Sequence, residues 1–216
     1  MHNVIQPAPR WVRNVPMILI GTSSTTGVTA ISVPAGTQNG DLMVMAVLSR
    51  GSLSSVSGWT LRREYTADPY YIKVYSRVAS SEPGTYSTGY SAGGLAAVML
   101  VYRNATGVDT VGSLLREDQP GGGAGNTSIV APSLTAAASG KLLGIFFRSG
   151  SSAGIDTSAV SSMTNRVGAS HTYTTGRVVA LRVFDAAQIA GATGDKTANV
   201  TGSTGGVDFG MLMQIY

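Results

Sequence analysis

The chain has 216 residues, of which 43% are apolar and 12% charged, with a formal net charge of +4 and no cysteine. The absence of cysteine excludes disulfides, thiol nucleophiles and thiolate metal sites, and so much apolar residue at so low a charge excludes a disordered chain. The positive excess is scattered: residues 1–16 carry Arg10 and Arg13 and no acid, residues 17–119 balance seven bases against seven acids, and residues 120–216 hold six against four. With neither a concentrated basic stripe nor a recognisable module, nucleic acid is not an expected partner.

The first 16 residues contain Pro7, Pro9 and Pro16, which block helix and central strand pairing and favour extended backbone. They read as an arm that lies on something, because Val4, Ile5, Trp11 and Val12 are costly to leave in water. Val4, Ile5, Arg10, Trp11 and Arg13 are the expected partner contacts. The arm lacks the apolar core and cleavage site of a secretory signal. No apolar run approaches a bilayer-spanning helix, the longest being Leu42 to Leu48 and Leu95 to Tyr102, so no membrane insertion is expected.

Beyond the arm, short apolar or alternating runs separated by turn residues predict an antiparallel all-β body. The expected strands lie near Met17 to Thr22, Thr29 to Val33, Leu42 to Ser49, Thr60 to Glu64, Tyr71 to Val78, Tyr86 to Tyr90 and Ala96 to Tyr102. A second series follows near Ser128 to Ala131, Lys141 to Arg148, Met163 to Val167, Arg177 to Phe184, Lys196 to Thr201 and Phe209 to Ile215. Single helical turns are expected around Gly112 to Glu117 and in "FDAAQIAG", both too short to stand alone.

The two series repeat in order. "GDLMVMAV" matches "GKLLGIFF", "GWTLRRE" stands where "SMTNRVG" does, and "YIKVYSRVA" matches "RVVALRVFD". Then "EPGTYSTGYSAGGLAAVMLVY" parallels "TGDKTANVTGSTGGVDFGMLMQIY". A glycine connector, residues 120–126, joins the halves 17–119 and 127–216. Each half presents an apolar face it cannot bury alone, so the halves are expected to close on each other as one β-sandwich, with strands free to interleave as in a jelly roll.

Alternation in "YIKVYSRV" places Tyr71, Lys73, Tyr75 and Arg77 on one strand face, a candidate exposed stripe for a subunit or a sugar, or simply a solvated outer face. Little else suggests chemistry. "GSSAG", residues 150–154, fits the serine-hydrolase string with Ser152 as nucleophile and His171 downstream. The text after it has no helical stripe, which the nucleophile elbow requires. His2 and His171 are too few for a multi-histidine metal site in one subunit, Asp41 and Asp195 adjoin turn glycines, and "PGGGAGN" lacks the lysine of a phosphate loop. No cofactor, metal or catalytic residue is assigned, and the chain is expected not to be an enzyme.

"TAISVPAGTQNGDLMVMAV", Gly58 and Trp59, "VYSRVASSEPGTYS", "VMLVYRNA", "APSLTAAASGKLLGIF" and "AGATGDKTANVTG" together resemble a β-sandwich domain widespread in bacteriophage and prophage virion structural proteins. The resemblance runs from about Met17 to the C-terminus and leaves the arm outside. It implies a non-enzymatic virion component, on the capsid surface or associated with the tail or its fibres, that forms a homo-oligomer; other virion proteins are the expected partners of the arm. The alternative is an adhesin module that binds host glycan through Tyr71 and Tyr75 or through residues 50–58.

Overall fold

Runs such as "LMVMAVLS" and "LAAVMLVYR" are apolar at nearly every position, and a strand of that kind is stable only with both faces covered. The fold supplies that cover twice. A computed structural model describes residues 15–91, 93–118, 127–151, 154–160, 162–174, 176–201 and 206–216. The expected partner contacts in the arm, the glycine connector and Ser152 lie outside the described residues.

The first half contains β1 (Ile18–Thr26), β2 (Ala30–Ser32), β3 (Leu42–Ser49), β4 (Thr60–Ala67), β5 (Tyr70–Val78), β6 (Thr85–Ser87) and β7 (Leu95–Arg103). β8 (Val108–Val111) and β9 (Leu115–Asp118), expected in the first half, join the large sheet of the second half, and that half contains β10 (Ser128–Ala131), β11 (Thr135–Ala136), β12 (Gly140–Ser151) and β13 (Gly154–Val160). It continues with β14 (Thr164–Thr174), β15 (Arg177–Gln188), β16 (Gly191–Ala192), β17 (Lys196–Thr201) and β18 (Gly206–Ile215). The large sheet of the first half has the order β1-β7-β3-β5-β4, and that of the second β14-β15-β12-β18-β8, with β9 also on β18. The repeated text is therefore a repeated topology. β3 and β12 are central, β5 and β15 lie on one side of them, β7 and β18 on the other.

Apart from β8 and β9, each large sheet is built from one half alone; these two strands of the first half cross to the edge of β18 in the second sheet. The facing sides of the two sheets make a shared core, in which Val44, Leu48, Val74, Val98 and Leu100 meet Ile145, Phe147, Leu181, Phe209 and Met213. The outer sides are buried as well. In the first half β2 and β6 form a two-stranded cover, and Ile31, Leu53, Val56 and Trp59 pack on Met43, Met45, Tyr75 and Met99. In the second half β10-β17-β13 is the cover, placing Ile129, Ala131, Ile155 and Ala198 on Leu142, Phe146, Phe184 and Leu212. Four β layers thus enclose three apolar seams. Gly210 shows how tightly the last seam closes: a Cβ there would stand 2.2 Å from the carbonyl oxygen of Val130, so β18 can approach β10 only without a side chain.

Two expected helical turns are strand instead. Leu115–Asp118 pairs with Val207 to Gly210 at the edge of β18, and β15 continues through "FDAA" to Gln188, opposite Gly140 to Leu143 of β12. In each case a waiting strand edge supplies a full ladder, which outweighs the weak pull of one isolated helical turn. The polar segment 154–160 is also a strand, β13, where the first half has only the loop 50–59.

Candidate functional site

β5 is an inner strand, and in its stripe of four Lys73 and Tyr75 are buried, Tyr75 against the loop that carries Leu53, Val56 and Trp59, while Tyr71 and Arg77 are partly exposed. Tyr75 is 2% exposed and Lys73 6%. The Tyr75 hydroxyl donates to the Ser54 carbonyl at 3.4 Å, and burial first, with the charge of Glu64 adding, raises its pKa against the Val56 backbone. Lys73 lies 3.9 Å from Glu64. Arg77 donates from Nε to both oxygens of Glu82, at 3.0 and 3.2 Å. Tyr71 alone of the tyrosine pair stays partly exposed, packed at the margin of the same core. The expected exposed stripe is thus corrected to a packed inner face. Alternation identifies two faces but does not say that only one is covered.

The hydrolase string meets a strand, not a helix: Gly150 and Ser151 end β12 and Gly154 begins β13. His171, on β14, is engaged across the two halves, its Nδ1 accepting the Leu95 backbone N–H at 3.3 Å. Its ring lies over Gly27, where a Cβ would come within 2.7 Å of Cε1. Among the described residues no group of three or more His, Asp or Glu gathers for a metal ion, and no helix is long and apolar enough to cross a membrane.

The ionisable side chains instead form braces. Asp185, 1% exposed on β15, accepts the Tyr102 hydroxyl of β7 at 2.9 Å and Arg166 Nε at 2.7 Å, with Lys141 Nζ at 3.6 Å. Burial, then the Asp185 charge, drives the Tyr102 pKa far up, so this phenol remains a donor. Arg63 of β4 donates to the carbonyls of Val111 and Gly112 at 3.2 and 2.6 Å. Arg50 lies 5.0 Å from the Tyr70 ring centre and 5.5 Å from that of Tyr173, one ring from each half. The Phe209 ring contacts Tyr65 and Tyr70 at 4.9 and 6.2 Å, and Arg116 both lies over Tyr65 and donates to its hydroxyl. Within the second half Arg148 and Asp208, both fully buried, pair at 3.6 Å across β12 and β18.

Turns carry two further clamps. Arg103 grips Asp41 in bidentate fashion, at 3.0 and 2.9 Å, while the Gln38 N–H donates to the same carboxylate at 2.8 Å. Burial alone would raise the Asp41 carboxyl, but the Arg103 hydrogen bond, the Gln38 N–H and the Arg103 charge together hold it below its ordinary value. Burial likewise opposes, and the Tyr86 hydroxyl, Ser80 N–H and Arg77 outweigh, at Glu82, which is also lowered. Tyr86 is pushed up to about 12 by burial and by Glu82.

Carboxyls lowered on folding stabilise the fold above their unfolded pKa, about 4 for Asp and Glu, and that stabilisation is lost as pH falls through the lowered folded value. Glu117 has the opposite sign: burial raises it against a Val130 N–H bond, so its protonation favours the folded chain as pH falls toward its unfolded value. Urea midpoints from pH 7 to 2.5 are therefore expected to change little down to about pH 4 and to drop steeply below. Arg103→Met should flatten that acid limb. An unchanged limb in this variant would remove Asp41 as a contributor.

At one end of the seam, where the chain enters β1, lies a cleft of about 430 Å³. Val15, Pro16, Met17 and Asn104 form one wall, and Gly140, Lys141, Ala187, Gln188 and Tyr216 another. Asn104 Nδ2 donates to the Pro16 carbonyl at 3.0 Å and fixes the root of the arm. No sequence signal pointed to this cleft, since its walls come from both halves and from turns far apart in the chain.

No protein-family model, curated protein or solved structure matches the chain.

Proposed function

We propose that this chain is a non-enzymatic structural subunit of a bacteriophage particle, held to neighbouring particle proteins by its N-terminal arm, at the capsid surface or in association with the tail. The observation that carries the reading is the use to which the polar side chains are put. His171, Asp185, Arg63, Asp41 and Glu82, the groups a site would draw on, are bonded into braces within and between the halves. The result is a stiff block whose usefulness lies in its contacts, and the root of the arm opens on a cleft of mixed lining, with Val15, Met17 and Ala187 beside Asn104, Ser139, Lys141 and Gln188. The likeness of the sequence to virion sandwich domains supports the same reading, and symmetric particle positions favour homo-oligomers.

In the glycan alternative Tyr75 is removed as a stacking ring by its burial, which leaves the partly exposed Tyr71 and residues 50–58 to carry it. Deleting residues 1–14 tests the proposal. The shortened chain is expected to fold, with unchanged circular dichroism, and to be lost from purified particles in which the full chain is incorporated. Incorporation at the normal level would sink the role of the arm.

A further inference from the structure

We infer that the outer edge of β14 is a self-association surface, on which β14 of a second copy of this chain pairs antiparallel about a two-fold axis and continues the second sheet into the partner. Among the described residues the two large sheets have four outer edges, and they are unlike. On one side of the sandwich, β4 carries Arg62, Arg63 and Glu64, and the β8–β9 edge carries Asp109, Arg116, Glu117 and Asp118. Charged side chains are a common means of keeping a strand edge from pairing. Arg63 also ties this side together through the carbonyls of Val111 and Gly112. On the other side lie β1 and β14, opposite each other across the shared core. β1 has no Lys, Arg, Asp or Glu, and β14 has only Arg166, which is bonded to Asp185 at 2.7 Å.

The register of β14 with β15 slips between Asn165 and Val167 and again between Thr172 and Thr174, but residues 167–172 pair without interruption, about 20 Å of regular edge. Every second residue there turns its N–H and C=O away from β15, and among the described residues no further strand or loop backbone bonds to them. Ser170 and Thr172 are exposed on this run, while the His171 ring is held into the sandwich by the Leu95 N–H at 3.3 Å. The occupant follows from symmetry and charge. An antiparallel strand is complementary to itself, and a two-fold axis sets each side chain of the run against one from the same run. A charge there would face its like, and residues 167–172 hold no Lys, Arg, Asp or Glu. The same axis, normal to the sheets, brings the uncharged β1 edges toward each other, whereas a lone peptide laid on β14 would leave β1 in water. The inference deepens the proposed homo-oligomer and rests on that reading only for its place in a particle.

The test uses three full-length chains in sedimentation velocity over a concentration series, with circular dichroism to verify folding: the wild type, Ser170→Lys with Thr172→Lys, and Ser170→Glu with Thr172→Glu. Both positions are exposed, so each variant is expected to fold. The wild type is expected to dimerise and each variant alone to sediment as a monomer, because like charges meet across the axis. An equimolar mixture of the two variants should recover the dimer. In the wild type, amide exchange in β14 should slow as concentration rises, while exchange in β4 stays unchanged. A monomeric wild type, or a dimer that persists in both variants alone, would overturn the inference. So would β14 amides that become protected only inside particles, an outcome that gives the edge to a strand of another protein. Deletion of residues 1–14 is scored separately in particles, so loss of edge pairing leaves the role of the arm standing, and failure of the arm leaves the dimer.

Discussion

Asp185→Ala is expected to lower the free energy of unfolding by about 3 kcal/mol, at the lower end of the range for breaking a buried ionic contact. Three donors converge on this carboxylate, and they differ in what they lose. Arg166 and Lys141 are 28% and 18% exposed at their side chains and can turn partly to water. Tyr102 cannot, because it is fully buried in the shared core and its hydroxyl would be left without an acceptor, at a cost of about 1–3 kcal/mol. Tyr102→Phe should cost only about 1 kcal/mol, since Asp185 keeps its two cations. Adding Tyr102→Phe to Asp185→Ala should then be neutral or restorative, because it removes the orphaned hydroxyl. Urea unfolding of the two single variants and the double variant closes the cycle. An Asp185→Ala chain within 0.5 kcal/mol of wild type, the usual scatter of surface substitutions, would show that Asp185 does not brace the halves.

Why this brace was invisible in the sequence, while much of the architecture was plain, follows from what fixes each. "LMVMAVLS" and "GKLLGIFF" declare buried central strands locally, and their shared order with the runs that follow declares the repeated topology. The partner of Asp185 is another matter. Tyr102 is 83 residues away, and its placement depends on how one sheet lies on the other, which no local pattern encodes. Asp41 was legible in part: its turn role is real, since it accepts the Gln38 N–H, but the bidentate grip of Arg103 comes from 62 residues downstream. The Tyr71 to Arg77 stripe was misread for the complementary reason. Its alternation is genuine, but the loop carrying Leu53, Val56 and Trp59 that buries it has no strand pattern of its own.

Phe209→Ala is expected to cost about 3–5 kcal/mol, the range for removing a buried aromatic ring. Phe209 lies on β18 of the second half, fully buried, with Tyr65 of β4 and Tyr70 of β5 from the first half against its ring. Its loss opens a cavity on the seam between the halves and also withdraws support from Tyr65, over which Arg116 is stacked at 5.5 Å. Phe146→Ala is the matched control. It removes the same ring from β12, but that ring faces Phe184 at 5.8 Å inside the second half. Both changes should destabilise the chain comparably in urea, yet native-state hydrogen exchange should separate them. Phe209→Ala should speed exchange in β4 and β5 of the first half, although the substitution is in the second. Phe146→Ala should loosen the β10-β17-β13 cover and leave β4 and β5 protected. If Phe209→Ala left β4 and β5 unchanged, the two halves would be stable independently of each other and the shared core would not be what makes them one rigid block.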